Sequence, residues 1–166
     1  MDWLPKNIPE QIKTSVVHGD FRVDNLIFDK DDPSKVLAVL DWELSTLGDP
    51  LTDTAYGCMA HHIPSEMKML KGLKGLNLKD LGIPTDLEYM KEYCENVGIQ
   101  PVSTWNFYLS FGFFRIAAIL QGVYKRSLQG ESPQSSAVES SNQTTEKLTS
   151  SLDHLLMYSL KMWSSY

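Results

Sequence analysis

A polar loop that follows a short apolar run is the feature that most constrains how this chain can fold. Residues 14–17 are β-prone and run straight into His18, and the spacing H-G-D-x-x-x-x-N then places Asp20 and Asn25 five residues apart. Because a loop that leaves a strand end can turn tightly, a carboxylate and a carboxamide at this spacing can face one cleft. The sequence therefore predicts a polar site at the end of a strand.

The segment after this loop is patterned as a β-hairpin. Residues 26–28 and 36–40 are short apolar runs, and residues 29–34 between them are rich in Asp, with Pro and Ser. Such a composition favours a turn between two strands. Asp41 follows the second run directly, so the hairpin predicts a second carboxylate at a strand end, where its side chain can face a cleft.

The rest of the chain is patterned mainly as helix. Gly48-Asp49-Pro50 ends the extended region, with Asp49 as a helix cap and Pro50 as a good first helical residue. Helices are predicted for residues 5–13, 50–62, 85–97, 103–127 and 144–162, with a surface excursion at 64–84 and a linker or loop at 129–143. Small strands followed by helices predict an α+β fold. We interpret residues 1–166 as a single domain with a core at about 14–128.

Length and charge limit the classes of protein that fit this chain. With 166 residues it can form one domain with a sizeable core. The net charge of −6 argues against a nucleic-acid binder, because neutralising phosphates takes clustered Lys and Arg side chains. No apolar stretch is long enough to span a bilayer. Cys58 and Cys94 are expected as reduced thiols, since their spacing fits no metal site.

Asp20, Asn25 and Asp41 together supply groups that phosphoryl transfer from Mg·ATP requires. A loop carboxylate can aim an attacking hydroxyl and accept its proton. An amide oxygen and a second carboxylate can hold the Mg²⁺ that bridges the phosphates. Each residue alone is more often a turn or cap residue. Their combination around a predicted hairpin favours a site for ATP and Mg²⁺.

Two stretches of the sequence resemble a known family. H-G-D-F-R-V-D-N-L-I-F and V-L-D-W-E-L-S-T-L-G-D-P are similar to motifs of the aminoglycoside phosphotransferase/choline kinase group, relatives of protein kinases. The resemblance covers about residues 16–126 and is most specific between His18 and Asp53. It implies the mostly helical C-terminal lobe of a protein-kinase-like fold, in which the hairpin carries the catalytic and metal-binding loops.

A later stretch narrows the resemblance. W-N-F-Y-L-S-F-G-F-F-R-I-A-A-I-L-Q-G-V-Y-K-R lies outside the general kinase motifs. With it, the chain resembles the kinase-like domain fused to acyl-CoA dehydrogenase domains in acyl-CoA dehydrogenase family members 10 and 11, the first more than the second. The resemblance implies a phosphotransferase with a small-molecule hydroxyl acceptor. By analogy it favours hydroxylated acyl compounds and an intracellular site, with mitochondrion or peroxisome as candidates.

The resemblance also assigns roles to single residues. Asp20 matches the catalytic base, Asn25 a metal ligand and Asp41 the metal-binding acid. Arg22 matches a position where protein kinases often place a cation that steadies the transferred phosphoryl group; its alternative is a solvated or acid-paired arginine. Glu43 either assists the metal or orients the loop.

Other residues are expected to support the site or the acceptor. His18 is interpreted as scaffold beneath the loop, although a proton-transfer role is the alternative. Asp49 and Asp53 are expected to anchor the loop from the following helix. Arg115 either binds an anionic group of the substrate or pairs with an internal acid. Tyr124 either lines the acceptor pocket or belongs to the end of its helix.

The expected nucleotide site is incomplete in this sequence. The seventeen residues before His18 contain no glycine-rich loop and no strand with the lysine that contacts phosphates. We therefore expect the ATP-binding N-terminal lobe to be absent, the isolated chain to be inactive, and the partners to include that lobe and an acyl-CoA dehydrogenase domain. The alternative is a non-catalytic binding or regulatory module derived from a kinase lobe.

Overall fold

The structure, a computed structural model, describes residues 3–67 and 71–128. The main elements are α1 (Trp3–Lys6), β1 (Ser15–Val17), β2 (Leu26–Phe28), β3 (Val36–Val39), β4 (Thr46–Gly48), α2 (Leu51–Cys58), α3 (Asp86–Val97) and α4 (Trp105–Leu128). Single turns of 3-10 helix lie at Val23–Asn25, Trp42–Leu44 and Met59–His62. This content confirms the α+β class that the sequence predicts.

The chain forms two compact units. The first contains the residues up to Cys58 together with Pro84–Tyr108, and so holds all four strands, α2 and α3. The second contains the described residues of Met59–Ile83 and the described part of α4 from Leu109 to Leu128. The predicted linker at 129–143 and helix at 144–162 lie outside the described residues, and the predicted core at 14–128 stays a prediction.

The predicted β-hairpin is present in the first unit. Strands β2 and β3 pair antiparallel, with Leu26 opposite Val39 and an irregularity between Ile27 and Phe28. The turn is closed by local polar contacts, because the Asp29 carboxylate accepts the backbone N–H groups of the second and third residues that follow it. These short-range bonds explain why composition alone was enough to place the turn.

A second pair of strands was not predicted as a pair. Strand β1 lies antiparallel to β4, with Val16 opposite Leu47. The strand expected at residues 14–17 is therefore confirmed, but its partner is a three-residue strand that follows the second acidic turn. This pairing brings the chain that enters the first polar loop beside the chain that leaves the second.

Helix α2 begins where the sequence predicts, directly after the Gly-Asp-Pro stop. Asp49 Oδ1 accepts the N–H of Leu51 at 3.0 Å, which satisfies a donor that the first turn of a helix leaves open. Leu51 and Ala55 are fully buried and form the inward face. The predicted helix 50–62 ends earlier as α-helix, at Cys58, and continues as the 3-10 turn Met59–His62.

Helix α3 has both of its predicted ends. Thr85 Oγ1 accepts the N–H of Glu88 at 3.2 Å, and the Glu88 carboxylate accepts the N–H of Thr85 at 2.8 Å, which together form a capping box. The Thr85 backbone and side chain, which donate to the Glu88 carboxyl, hold its pKa below the usual range. Gly98 ends the helix in the left-handed conformation, with φ 72°.

One other helix prediction needs correction, and the predicted surface excursion can be compared with the structure. The helix expected at 5–13 is wrong beyond the first turn, because α1 ends at Lys6 and Pro9 has no N–H to continue it. Within the described part of residues 64–84 the structure contains turns and one isolated bridge, from Pro64 to Lys74, and no helical turn.

Helix α4 is the longest element and is anchored at its first turn. Trp105 Nε1–H donates to Asp86 at 3.1 Å, and the Tyr108 hydroxyl donates to Asp49 at 2.9 Å. Burial, the hydrogen bond to Asp49 and that carboxylate's charge all raise the pKa of Tyr108. No helix in the described part of the chain combines the length and hydropathy that a bilayer span needs.

Neither cysteine is expected to react with a thiol reagent while the chain is folded. Burial and, to a smaller extent, the charge of Asp86 raise the pKa of Cys58 to about 12, and burial also raises the pKa of Cys94. Only the thiolate is nucleophilic, so roughly one Cys58 side chain in 10⁴ is reactive at pH 8. Alkylation followed by mass spectrometry should label both cysteines in urea and neither without it. Rapid labelling of the native chain would contradict this.

Candidate active site

The first polar loop is anchored by one carboxylate from α2. Asp53 Oδ2 accepts the N–H of His18 at 2.6 Å, and Asp53 Oδ1 accepts the N–H of Gly19 at 2.9 Å. Asp53 lies in the first turn of its helix, where the open N–H groups favour a negative charge. Both oxygens of a single side chain therefore fix two consecutive peptides at the start of the loop.

Gly19 lets this loop pass close to the second acidic turn. Its φ of 85° is left-handed, and a Cβ built there would lie 2.4 Å from the carbonyl oxygen of Leu44. Two independent constraints thus exclude any side chain at this position. The backbone of the H-G-D loop and the end of the Trp42–Leu44 turn are consequently in direct contact.

The ring of His18 connects the first loop to the end of β3. Its Nδ1 accepts the N–H of Asp20 at 3.2 Å, and its Nε2 lies 2.7 Å from the carbonyl oxygen of Leu40. Because a peptide N–H can only donate and a carbonyl can only accept, these partners assign the neutral tautomer with hydrogen on Nε2. The buried ring packs against Trp42 in a tilted arrangement, with centroids 4.6 Å apart and an angle of 49° between the ring planes.

Asn25 closes the loop back onto Asp20. Its Nδ2 donates to the Asp20 carbonyl at 2.9 Å and to Asp20 Oδ2 at 3.1 Å. Since both partners are acceptors, the NH₂ group must face Asp20, and the amide oxygen points to the other side. No described residue donates to that oxygen, so it remains available to a cation or to water.

The peptide that precedes Asp41 is held from two sides. The N–H of Leu40 donates to the carbonyl of Asn25 at 2.8 Å, and the carbonyl of Leu40 accepts a hydrogen bond from Nε2 of His18. The two polar loops are thereby tied at the residue immediately before Asp41. The structure thus brings the predicted base, the predicted metal amide and the approach to the predicted metal acid into one hydrogen-bonded cluster.

Asp41 has an unusual backbone conformation. With φ 63° and ψ 57°, it is the one non-glycine residue with positive φ among residues 3–67 and 71–128. Its exposed carboxylate forms no hydrogen bond or ion pair with the described residues. A left-handed non-glycine residue costs about 1–2 kcal/mol. The surrounding bonds, and not its own side chain, therefore hold Asp41 in place.

The remaining predicted residues have different surroundings. Arg22 pairs with Asp24, which is the acid-paired alternative considered for it. Glu43 is exposed in the Trp42–Leu44 turn. Asp49 caps α2 and accepts the Tyr108 hydroxyl, so it contacts the following helices and not the loop itself.

The two predicted substrate residues belong to the second unit. Arg115 is half-buried on α4, less enclosed than the apolar sequence around it predicts. Tyr124 lies on the same helix near its described end. The side chain of Tyr124 is outside the described part, and the expected substrate contacts of both residues stay predictions.

Comparison with known proteins shows which family the chain belongs to. The model of the phosphotransferase enzyme family (APH) matches residues 1–93 of the chain. The chain belongs to the phosphotransferase enzyme family. A crystal structure of a Ralstonia eutropha JMP134 protein assigned as an aminoglycoside phosphotransferase matches with a TM-score of 0.73 and 42% identity, over 94% of this chain and 47% of that one. The chain therefore has a kinase-like fold.

Curated relatives of this phosphotransferase chain are much longer proteins. Acyl-CoA dehydrogenase family member 10 of Mus musculus is 53% identical over 155 residues, which are 93% of this chain and 14% of that protein. Family member 11 of the same species is 42% identical over 131 residues, 77% of this chain and 16% of that protein. The resemblance inferred from the sequence is thus confirmed, and the chain spans about a seventh of these relatives.

The oxygen donors of the candidate site can supply some of the ligands of a Mg²⁺ ion, but not all of them. The described residues contain no group of three His, Cys, Asp or Glu side chains that could enclose a metal ion. Asn25 and Asp41 nevertheless present an amide oxygen and a carboxylate, and Mg²⁺ commonly takes only one or two protein ligands beside water and phosphate oxygens. The residues therefore fit a metal that arrives with a nucleotide.

Several residues that contact the predicted residues of the candidate site were not named from the sequence. The backbone of Leu40, the ring of Trp42 and the carboxylate of Asp24 all contact predicted site residues. The opposite charges of Arg22 and Asp24, two residues apart, could have indicated their ion pair from the sequence. The part played by Leu40 was not readable, because peptide groups are the same in every residue type.

Replacing Gly19 should disrupt the site far more than replacing another left-handed glycine. Gly98→Ala is the matched control, since Gly98 has φ 72° and no neighbouring atom within 4 Å of the point where a Cβ would lie. The control should lose about 1–2 kcal/mol of unfolding free energy from φ alone. Gly19→Ala should lose roughly 3 kcal/mol or more, because the Leu44 carbonyl must also move. Urea denaturation measures both values, and equal losses would contradict the close contact.

Proposed function

We propose that the chain forms the C-terminal lobe of an ATP-dependent phosphotransferase that moves the γ-phosphoryl group to a hydroxyl of a small molecule. The observation that carries the proposal is the double attachment of Leu40, through Asn25 and His18. It ties the loop of the candidate base to the residue before the candidate metal acid. The bond to Asn25 continues the β2–β3 ladder by one residue pair, and the bond to His18 attaches the loop of Asp20 to that same peptide.

Asp20 is the proposed base. Asn25 donates to one of its oxygens, Oδ2, and the residue is half-buried, so the carboxylate is oriented while remaining reachable. A hydroxyl that donates to this carboxylate is aimed at the phosphorus and can lose its proton late in transfer. Because His18 accepts the backbone N–H of Asp20, its role is to position the loop.

Asn25 and Asp41 are the proposed ligands of Mg²⁺. The amide of Asn25 is fixed with its oxygen away from Asp20, and the carboxylate of Asp41 has no partner among the described residues. With ATP bound, Asn25 and Asp41 would hold a Mg²⁺ ion, which would neutralise the negative charge that develops on the phosphate groups. The backbone bond between Leu40 and Asn25 joins the two loops that carry these oxygen donors, which supports their assignment to one metal ion.

The acceptor and the rest of the nucleotide site depend on the whole protein. The chain spans 47% of the solved relative and 14% of acyl-CoA dehydrogenase family member 10. We propose that an ATP-binding N-terminal lobe completes the site, and that the isolated chain has no turnover. The names of the curated relatives support a hydroxylated acyl compound as acceptor, with Arg115 as a candidate contact for its anionic group.

The proposed roles of Asp20 and Asp41 should separate in the whole protein. Asp20→Asn should lower kcat about 10²- to 10⁴-fold while Mg·ATP still binds, because a base acts on the chemical step. Asp41→Asn should weaken Mg·ATP binding about tenfold or more, since even changes beside a metal ligand have that effect. Asp31→Asn removes an exposed carboxylate from the turn between β2 and β3, outside the proposed site, and should change neither.

The measurements are calorimetric titration with Mg·ATP and an acceptor screen that follows ATP consumption. A whole protein that binds Mg·ATP but phosphorylates no hydroxyl compound would instead be a binding or regulatory module. Transfer to an amino sugar but to no hydroxylated acyl compound would retain the phosphotransferase and reject the acyl acceptor. Turnover by the 166-residue chain alone would show that the N-terminal lobe is not required.

A further inference from the structure

The loop between Asp20, the candidate base, and Asn25, the candidate metal amide, contains an ion pair. Asn25 closes this segment, because its side chain bonds to Asp20 and its own N–H donates to the carbonyl of Arg22 at 3.0 Å. Arg22 is extended, with φ −154° and ψ 161°, and the following residues form the turn Val23–Asn25. The turn brings Asp24 back toward Arg22, and the two side chains pair.

This pair is poorly suited to stabilising the fold. The side chains of Arg22 and Asp24 are 45% and 70% exposed, so water competes for both charges. Exposed pairs of this kind contribute little to stability, and neither residue belongs to the buried core. Arg22 contacts Asp24 through its Nη2 atom only, so its other N–H donors can bind an anion and the exposed pair is easy to exchange.

We propose that Asp24 is a positioning residue that holds the Arg22 guanidinium until a phosphate group replaces it. In this arrangement Arg22 leaves Asp24 and pairs with the terminal phosphoryl group of bound ATP, two residues from the candidate base. Asp24 keeps the guanidinium beside the loop in the absence of nucleotide and competes with the phosphate for it. The inference rests on the proposed function, since it requires ATP at this site.

The competition between Asp24 and phosphate for Arg22 predicts how the affinity for Mg·ATP changes when Asp24 is replaced. Replacing Asp24 by asparagine removes the competing charge, so Arg22 is available to phosphate without first breaking a pair. Mg·ATP should then bind the whole protein about two- to fivefold more tightly, which corresponds to the modest strength of an exposed pair. Mg·ADP lacks the terminal group, so its affinity should not change.

A double-mutant cycle distinguishes exchange from a general effect of charge. If Asp24 acts by competing for Arg22, Asp24→Asn should have no effect on Mg·ATP affinity in a protein that already carries Arg22→Gln. If Asp24 acted only through the repulsion between its charge and the nucleotide, the gain would persist in that background. Arg22→Gln alone should weaken Mg·ATP binding and leave Mg·ADP binding unchanged.

The experiment is titration calorimetry on the whole protein, with wild type, the two single variants, the double variant and Asp31→Asn as control. Asp31 is 79% exposed and pairs with Lys30, so its replacement removes the same charge from a similar pair outside the loop. Thermal unfolding should show all variants as stable as wild type, because the changed side chains are exposed.

The outcomes separate the two proposals. Absence of Mg·ATP binding by the wild-type whole protein overturns the proposed function and this inference with it. If wild type binds, then unchanged or weaker Mg·ATP binding by Asp24→Asn overturns the inference alone. A gain that persists in Arg22→Gln, that also appears with Mg·ADP, or that Asp31→Asn reproduces overturns it as well.

Discussion

The capture of two consecutive peptide N–H groups by the Asp53 carboxylate is the contact on which the rest of the site depends. It fixes His18 and Gly19 at the first turn of α2, a helix whose inward face is fully buried. With that end immobile, the His18 ring can reach Leu40 and the loop can pass against Leu44. The buried helix α2 thereby fixes the position of the polar loop through the side chain of Asp53.

The parts of the fold that the sequence predicted are those specified by neighbouring residues. The hairpin follows from the turn chemistry of residues 29–34, and α3 follows from its capping box and from Gly98. The pairing of β1 with β4 joins two three-residue strands across the hairpin, and neither strand is long enough to show a period. Such pairing is set by how the loops pack, so local patterns could not reveal it.

The predictions for the candidate site show the same division between contacts that neighbouring residues specify and contacts that packing specifies. The approach of Asn25 to Asp20 was predicted, because five residues in a turning loop leave little freedom. The connection to Asp41 was predicted only as a shared cleft, since it runs through peptide atoms of Leu40 that every residue type possesses. The comparisons add the family and the kinase-like fold, and the roles of the single residues stay predictions to be tested.

The backbone of Asp41 links this local geometry to function. Glycine would adopt φ 63° without strain, yet the chain carries an aspartate whose carboxylate stabilises nothing around it in the described part of the chain. A strained residue persists where its neighbours determine its conformation, and the bonds on either side of Leu40 provide that constraint. The fold thus holds Asp41, directly after Leu40, in a left-handed conformation that few residue types adopt. Its carboxylate has no partner in the described part of the chain, which is consistent with the metal role proposed for it.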